Sequence, residues 1–320
     1  MRFVLLVFLV SSFVFCQDQN EKFITAPFEE GSKSQTPKLE IQILHDELLP
    51  ISKNDFLVLA QEIFQYECKR MNFRKDIHLT VEIKDLESDI RGFIIPHSSS
   101  DSMFLSKDSI KAKDNLGGIF AHELGHILYS KLIDSLFHIG NMYWGEGFAS
   151  WAAGKYYLQW QGYQNYKSAI KEIVSSNSFY DIKNICGESN RPAKQRDVIY
   201  VEWASFIDFL IEKYGFEKSI SISNSFAQVR NALSLKDSVL MEVTNLNNID
   251  ENIKKLGLKY DDIALKVMSS DKVLLVLINR DEKIHRIEPV ILLEEAYIKT
   301  YKTSFDELKK QWKTKNKIIK

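Results

Sequence analysis

The chain has 320 residues, 45% of them apolar and 27% charged, the composition of a soluble globular protein with one large or two modest domains. With 42 Lys and Arg against 43 Asp and Glu the formal charge is −1. No global field therefore draws the protein to nucleic acid or to an anionic membrane, and no nucleic-acid partner is expected.

The N-terminus departs from this average. MRFVLLVFLVSSFVFCQDQN has a single Arg, an apolar run from Phe3 to Phe15 broken only by Ser11 and Ser12, and then a polar stretch. That is the layout of a secretory signal peptide, here residues 1–16, and the run is too short to span a bilayer comfortably. The mature protein is expected to be exported, to the periplasm, the cell surface or the medium. Cys16 ends the run where lipoproteins carry their acylated cysteine, which would give a lipid anchor and the one route to a membrane. Phe15 stands where a bacterial lipobox has a small side chain, and cleavage just after Cys16 reads equally well. Of the other cysteines, Cys68 and Cys186, both a disulfide and two buried thiols are open.

Residues 17–37 are rich in Gln, Glu, Ser and Pro without a sustained period and read as a linker. LEIQIL (39–44) alternates like a strand, and residues 52–71 read as a helix with Phe56, Leu59, Ile63 and Tyr66 on one face. IHLTVEI (77–83) is strand-like; GFIIP (92–96) and SMFLS (102–106) make a hairpin across the polar HSSSD. Helices follow: one capped by Asp114 and running to about Leu132, one from near Trp144 through WAAGKYYLQW, one over 164–174, and one from Asp197 to its stop at Gly215. Further on, VLLVLINR (273–280) reads as a strand, and VILLEEAYIKTY (290–301) and SFDELKKQWK (304–313) as helices, with Ser304 and Glu307 spaced as a capping box. The six lysines among the last twelve residues mark a solvated end. Strands first and helices second predict an α+β fold, a small mixed or antiparallel sheet followed by a mainly helical lobe.

The chemistry concentrates in GGIFAHELGHILY, residues 117–129. At 100° per residue His122 and His126 share a helix face, so both imidazoles can reach one Zn²⁺, while Glu123 lies off that line in the position of a general base. With only seven His in the chain, a chance H-E-x-x-H is expected on the order of 0.01 times. A catalytic metal needs a third protein ligand. The metzincin continuation is absent, because Tyr129 and Leu132 occupy its Gly and His positions. WGEGFASWAAG follows instead, and a helix, a tight loop with glycines and an antiparallel helix would bring Glu146 beside the histidines as that third ligand. Ser150, one turn on, could orient a motif histidine. His45, His78, His97, His138 and His285 stand isolated and are not expected to bind the metal.

HELGH followed by WGEGFASWAAG resembles the gluzincin metallopeptidases, and specifically the bacterial peptidase MA-like domains, in which the glutamate ligand commonly sits in a phrase like NEGFA. The resemblance covers roughly residues 80–215, with a looser similarity of EEAYIKTYKTSFDELKKQW to the closing helices of such domains. It implies that Tyr200, which opens YVEWASFIDFLIEKYG, hydrogen-bonds the oxyanion of the tetrahedral intermediate. It also places SMFLS where these folds carry the edge strand that pairs with an extended substrate. Two departures stand out: Gly145 replaces the usual Asn before the glutamate ligand, and no GxMEN-like segment lies upstream, which leaves exopeptidase activity unsupported. The expectation is an exported zinc metallopeptidase acting on peptides or proteins, with endopeptidase action preferred. One Zn²⁺ per chain would sit on His122, His126 and Glu146, in a catalytic domain over 38–230 with a partly helical extension over 231–320 packing on it. The alternatives are an inactive metal-binding relative and a surface lipoprotein that serves as a docking module.

Overall fold

The computed structural model describes residues 36–87, 90–95, 100–133, 142–182, 193–234, 263–269, 272–278, 287–291 and 294–318. The expected signal peptide, Cys16, His97, His138, Cys186 and His285 lie outside these residues, as does all but the end of the expected linker.

Strand β1 (Leu39–Leu44) leads through a 3-10 turn into helix α1 (Lys53–Met71). The Ser52 side chain caps α1 by accepting from the Asp55 amide, and Asn72 ends it in the left-handed region at φ 50°. Phe56, Leu59, Ala60, Ile63 and Phe64 form its buried face. Tyr66, one step round the helix, is only half-buried, and its hydroxyl accepts from the Lys155 amide at 3.2 Å. Strand β2 (Ile77–Lys84) buries every second residue. Because α1 carries the chain back across the sheet, β1 and β2 pair in parallel.

Strands β3 (Gly92–Ile95) and β4 (Asp101–Ser106) form the expected hairpin and complete a mixed sheet of order β1-β2-β4-β3. This corrects one expectation. SMFLS is not an edge: β4 pairs in parallel with β2 on one flank and antiparallel with β3 on the other, so the edge on that side of the sheet is β3, with β1 at the opposite edge. The inner position suits β4, whose Met103 and Leu105 are fully buried, whereas β3 is four residues long, as short as protected edges tend to be.

The helical lobe begins with α2 (Lys113–Leu132), which starts at Ala112 without a side-chain cap. Asp114, expected as the cap, lies inside the first turn, where a carboxylate suits the helix dipole, and accepts from Gln159 Nε2 at 3.2 Å. The next expected helix is two, α3 (Met142–Ala153) and α4 (Lys155–Trp160). They break at Gly154, where φ is 51° and an added Cβ would lie 2.3 Å from the Tyr66 hydroxyl. Helix α5 (Tyr166–Ser175) has a capping box between Asn165 and Ser168. Helix α6 (Ala193–Tyr214) starts one turn before Asp197, and α7 (Phe216–Ser234) runs across residue 230.

Strands β5 (Ile263–Ser269), β6 (Lys272–Ile278) and β7 (Ile287–Ile291) form an antiparallel sheet in sequence order. VILLEEAYIKTY therefore begins in β7, and its last eight residues form α8 (Glu294–Tyr301). The β-branched Ile287, Val290 and Ile291 favour a strand, and Pro289, which lacks an amide donor, disfavours a helix interior. Helix α9 (Phe305–Lys315) is capped as expected by Ser304, whose hydroxyl accepts from the Glu307 amide at 3.2 Å.

Helix α3 packs between α2 and α6. Two glycines permit it: a Cβ at Gly125 would lie 2.9 Å from the Ala149 carbonyl oxygen, and one at Gly147 would lie 2.4 Å from Trp203 Cβ. Fully buried aromatics fill the remaining space, among them Phe120 edge-on to Phe56, and Phe206 against Phe305 and Trp312. Each such side chain stabilises the fold by roughly 1.5–3 kcal/mol. Trp312 of α9 also donates to Ser205 Oγ of α6 at 3.1 Å. Cys68 is a buried free thiol, pushed up to about 12 by burial and by the neighbouring Glu67. The fold is α+β. Among the described residues no helix is long and apolar enough to cross a membrane.

Candidate metal centre

The four-residue spacing of α2 and the close approach of α3 bring three side chains to one point. His122 Nε2 lies 3.1 Å from Glu146 Oε2 and 3.1 Å from His126 Nε2, and His126 Nε2 lies 3.4 Å from Glu146 Oε2. Tetrahedral donors held about 2.0–2.1 Å from a metal stand about 3.3–3.4 Å from one another, so the three atoms are close enough to share one ion.

The surroundings favour lone pairs pointing inward. Ser150 Oγ lies 3.2 Å from His122 Nδ1, as expected from its position one turn after Glu146. When Nδ1–H donates to that hydroxyl, Nε2 carries the free lone pair that a metal needs. Burial alone would push Glu146 up, but His126 and His122 outweigh it and hold the carboxyl well below the usual range. A bound cation would hold the carboxylate in its charged form in the same way. The triad is shielded: His122 is 8% and His126 4% exposed.

Glu123 stands beside the triangle and outside it. It is buried, and burial, partly offset by His126 and reinforced by the Glu146 charge, pushes its carboxyl up to about 7. A carboxyl poised near neutrality is suited to taking and returning a proton. Its other side rests on strand β3, since a Cβ at Gly92 would lie 3.0 Å from Glu123 Cγ and Oε1.

These groups line a cavity of about 310 Å³ whose other walls come from β3, α4 and α6. Tyr200 of α6 is in the cavity, its ring stacked on that of His122 with centroids 5.9 Å apart and 6° between planes. Every residue assigned to the site from sequence thus reaches it, Tyr200 included. His45 and His78, the described histidines not assigned to it, are exposed at the surface beside Glu47 and Glu40.

Four further residues of the cavity, Tyr157, Trp160, Arg91 and Asp197, carry no sequence motif. Tyr157 is buried with its ring 5.4 Å from that of His122 and edge-on to Trp160. Arg91 stacks on Trp160 and pairs with Asp197. The i, i+3 spacing of Tyr157 and Trp160 marks a common helix face, but only the fold turns that face toward the histidines.

No family model, curated protein or solved structure matches the chain. What stands is an α+β fold that gathers His122, His126 and Glu146 into a cluster able to hold a metal ion.

Proposed function

We propose that the protein is an exported zinc-dependent peptidase of gluzincin type, acting as an endopeptidase on peptide or protein substrates. The observation that carries the reading is the N2O triangle of His122, His126 and Glu146 with the carboxyl of Glu123 beside it. Two imidazoles and one carboxylate are a donor set of catalytic zinc sites, which leave a position open for water or substrate. Zinc bound there would polarise a carbonyl and lower the pKa of water from 15.7 to about 7. Other first-row ions also accept imidazole and carboxylate, and zinc is preferred for its redox inertness and ready tetrahedral geometry.

The chain's own groups divide the remaining work. Glu123, buried beside the triangle, takes a proton as water attacks the peptide carbonyl and passes it to the leaving amine. The Tyr200 phenol donates to the carbonyl oxygen as it becomes negative, the role that the gluzincin resemblance implies. Strand β3, as the sheet edge nearest Glu123, offers main-chain pairing to an extended substrate, and such pairing tolerates many sequences. The signal-peptide layout of residues 1–16 supports export.

The test is metal content and casein hydrolysis by the wild-type chain and by Glu123→Gln. The reading expects both to hold zinc and the variant to lose hydrolysis by about 10²–10⁴-fold. Equal hydrolysis by the two proteins rules out Glu123 as the base. Metal binding without hydrolysis by wild type leaves the non-catalytic docking module.

A further inference from the structure

Arg91 is the residue before β3, and its carbonyl oxygen accepts from the Ser106 amide at 2.9 Å, so its backbone belongs to the sheet. Its guanidinium leaves the sheet and reaches α6, where Nη1 and Nη2 donate to the two carboxylate oxygens of Asp197 at 2.5 and 2.8 Å. The same guanidinium lies 5.0 Å from the ring centroid of Trp160 in α4. Arg91, Trp160 and Asp197 all line the cavity. One side chain therefore ties together three walls from distant parts of the chain.

The pair differs from ordinary surface ion pairs. The side chains of Arg91 and Asp197 are 29% and 15% exposed, and the contact is bidentate, the geometry in which charge-assisted hydrogen bonds are strongest. Its position also matters. Strand β3 is four residues long and lies at the sheet edge, bonded to a neighbouring strand on one flank only, and it packs on α2 at Glu123 but reaches α6 through Arg91. Asp197 lies one turn before Tyr200 on α6, so the bridge spans from the strand that faces Glu123 to the turn that carries the phenol.

We propose that Arg91, held between Asp197 and Trp160, is a positioning residue that sets the separation between β3 and the Tyr200 turn of α6, and with it the fit of an extended peptide. The proposal rests on the peptidase reading of the cavity. Losing the strut lets β3 move outward and weakens substrate binding. The ligands and Glu123 stay put, because α2 and α3 hold them.

The test uses the full zinc-loaded chain with Arg91→Met, Arg91→Lys and Asp197→Asn. The substrate is an internally quenched peptide, taken from a mixed-sequence set as one that the wild type cleaves. The expected result is a KM raised about 10-fold with kcat within about 3-fold, and zinc content unchanged. Arg91→Lys should behave like Arg91→Met, because an ammonium has neither the planar face for Trp160 nor the fork for Asp197. Hydrogen exchange at the amides of residues 92–95 should quicken in all three variants. If an Arg91 variant does not fold, Asp197→Asn, which keeps shape and volume, carries the same comparison. A lower melting temperature with unchanged KM would make the pair merely structural and overturn the proposal, as would unchanged exchange in β3. If the wild type cleaves nothing, the peptidase reading fails, and exchange in β3 decides on the strut alone.

Discussion

On one side of the cavity, helices α2, α3 and α6 meet backbone to backbone, with Gly125 against Ala149 and Gly147 against Trp203. On the other side, β3 is a four-residue edge strand whose Ile95 is 42% exposed and which the Arg91–Asp197 bridge connects to the helices. The helical side carries the cluster of His122, His126 and Glu146 and the carboxyl of Glu123; the strand side carries none of them. On the proposed function, the chemistry would sit where close packing forbids movement, and recognition of a variable chain on the thinner, edge-strand side.

Substitutions on the two walls should therefore fail in different ways. On the helical wall, Gly125→Val is expected to cost about 1–3 kcal/mol or more by overpacking and to deplete the metal, because it drives Glu146 away from the histidines. Thermal melting and metal analysis of the same preparation check this. Metal retained at full stoichiometry would show that α2 and α3 are free to separate, and would erase the contrast.

On the strand wall, Gly92→Ala places a Cβ 3.0 Å from Glu123 Cγ. Here the thin strand can yield, so the melting temperature should stay within about 2 °C while peptide hydrolysis falls about 10-fold because the strand proposed to pair with substrate is pushed away from Glu123. A melting loss as large as that of Gly125→Val would mean that the strand side is as rigid as the helical one.

The smallest effect is expected behind the helical wall. Glu67 of α1 is fully buried, and burial, opposed by Arg70, raises its carboxyl well above 4.5. The folded chain then holds this proton more tightly than the unfolded one. The contribution of Glu67 is full below the unfolded value and declines as pH rises from there through the folded value. Glu67→Gln should remove the decline, making the variant more stable than wild type at pH 8 by on the order of 1 kcal/mol and equal to it at pH 4. Denaturant unfolding at the two pH values measures this. A variant less stable at pH 8 would point to a partner for the ionised carboxylate.

The two walls were also unequally legible in the sequence. His122, Glu123 and His126 on one helix, and Glu146 and Ser150 on the next, lie at spacings that a helical period converts into shared faces, while bringing Glu146 across to the histidines rested on the expected turn between antiparallel helices and on the gluzincin resemblance. The strand wall depends on which strand the hairpin leaves outermost, a matter of pairing with β2 that alternation along one strand does not encode, and the edge was accordingly assigned to β4 instead of β3. Arg91 and Asp197 are 106 positions apart and belong to no motif, so the bridge appears only when the chain is folded. Gly125 and Gly147 read as weak points in helices, and their role as contact surfaces is equally tertiary. The α+β order was visible because α1 and α6 have clear periods and stops. The break at Gly154 was not, since its cause is the hydroxyl of Tyr66 in another helix.

The central claim is that two imidazoles from one helical turn and a carboxylate from the adjoining helix grip a single zinc ion. Elemental analysis of the purified chain, prepared without chelators, tests it most directly when set beside His126→Ala. The zinc centre requires about one zinc per wild-type chain and almost none in the variant. No stoichiometric transition metal in the wild type, or equal metal in both proteins, contradicts it.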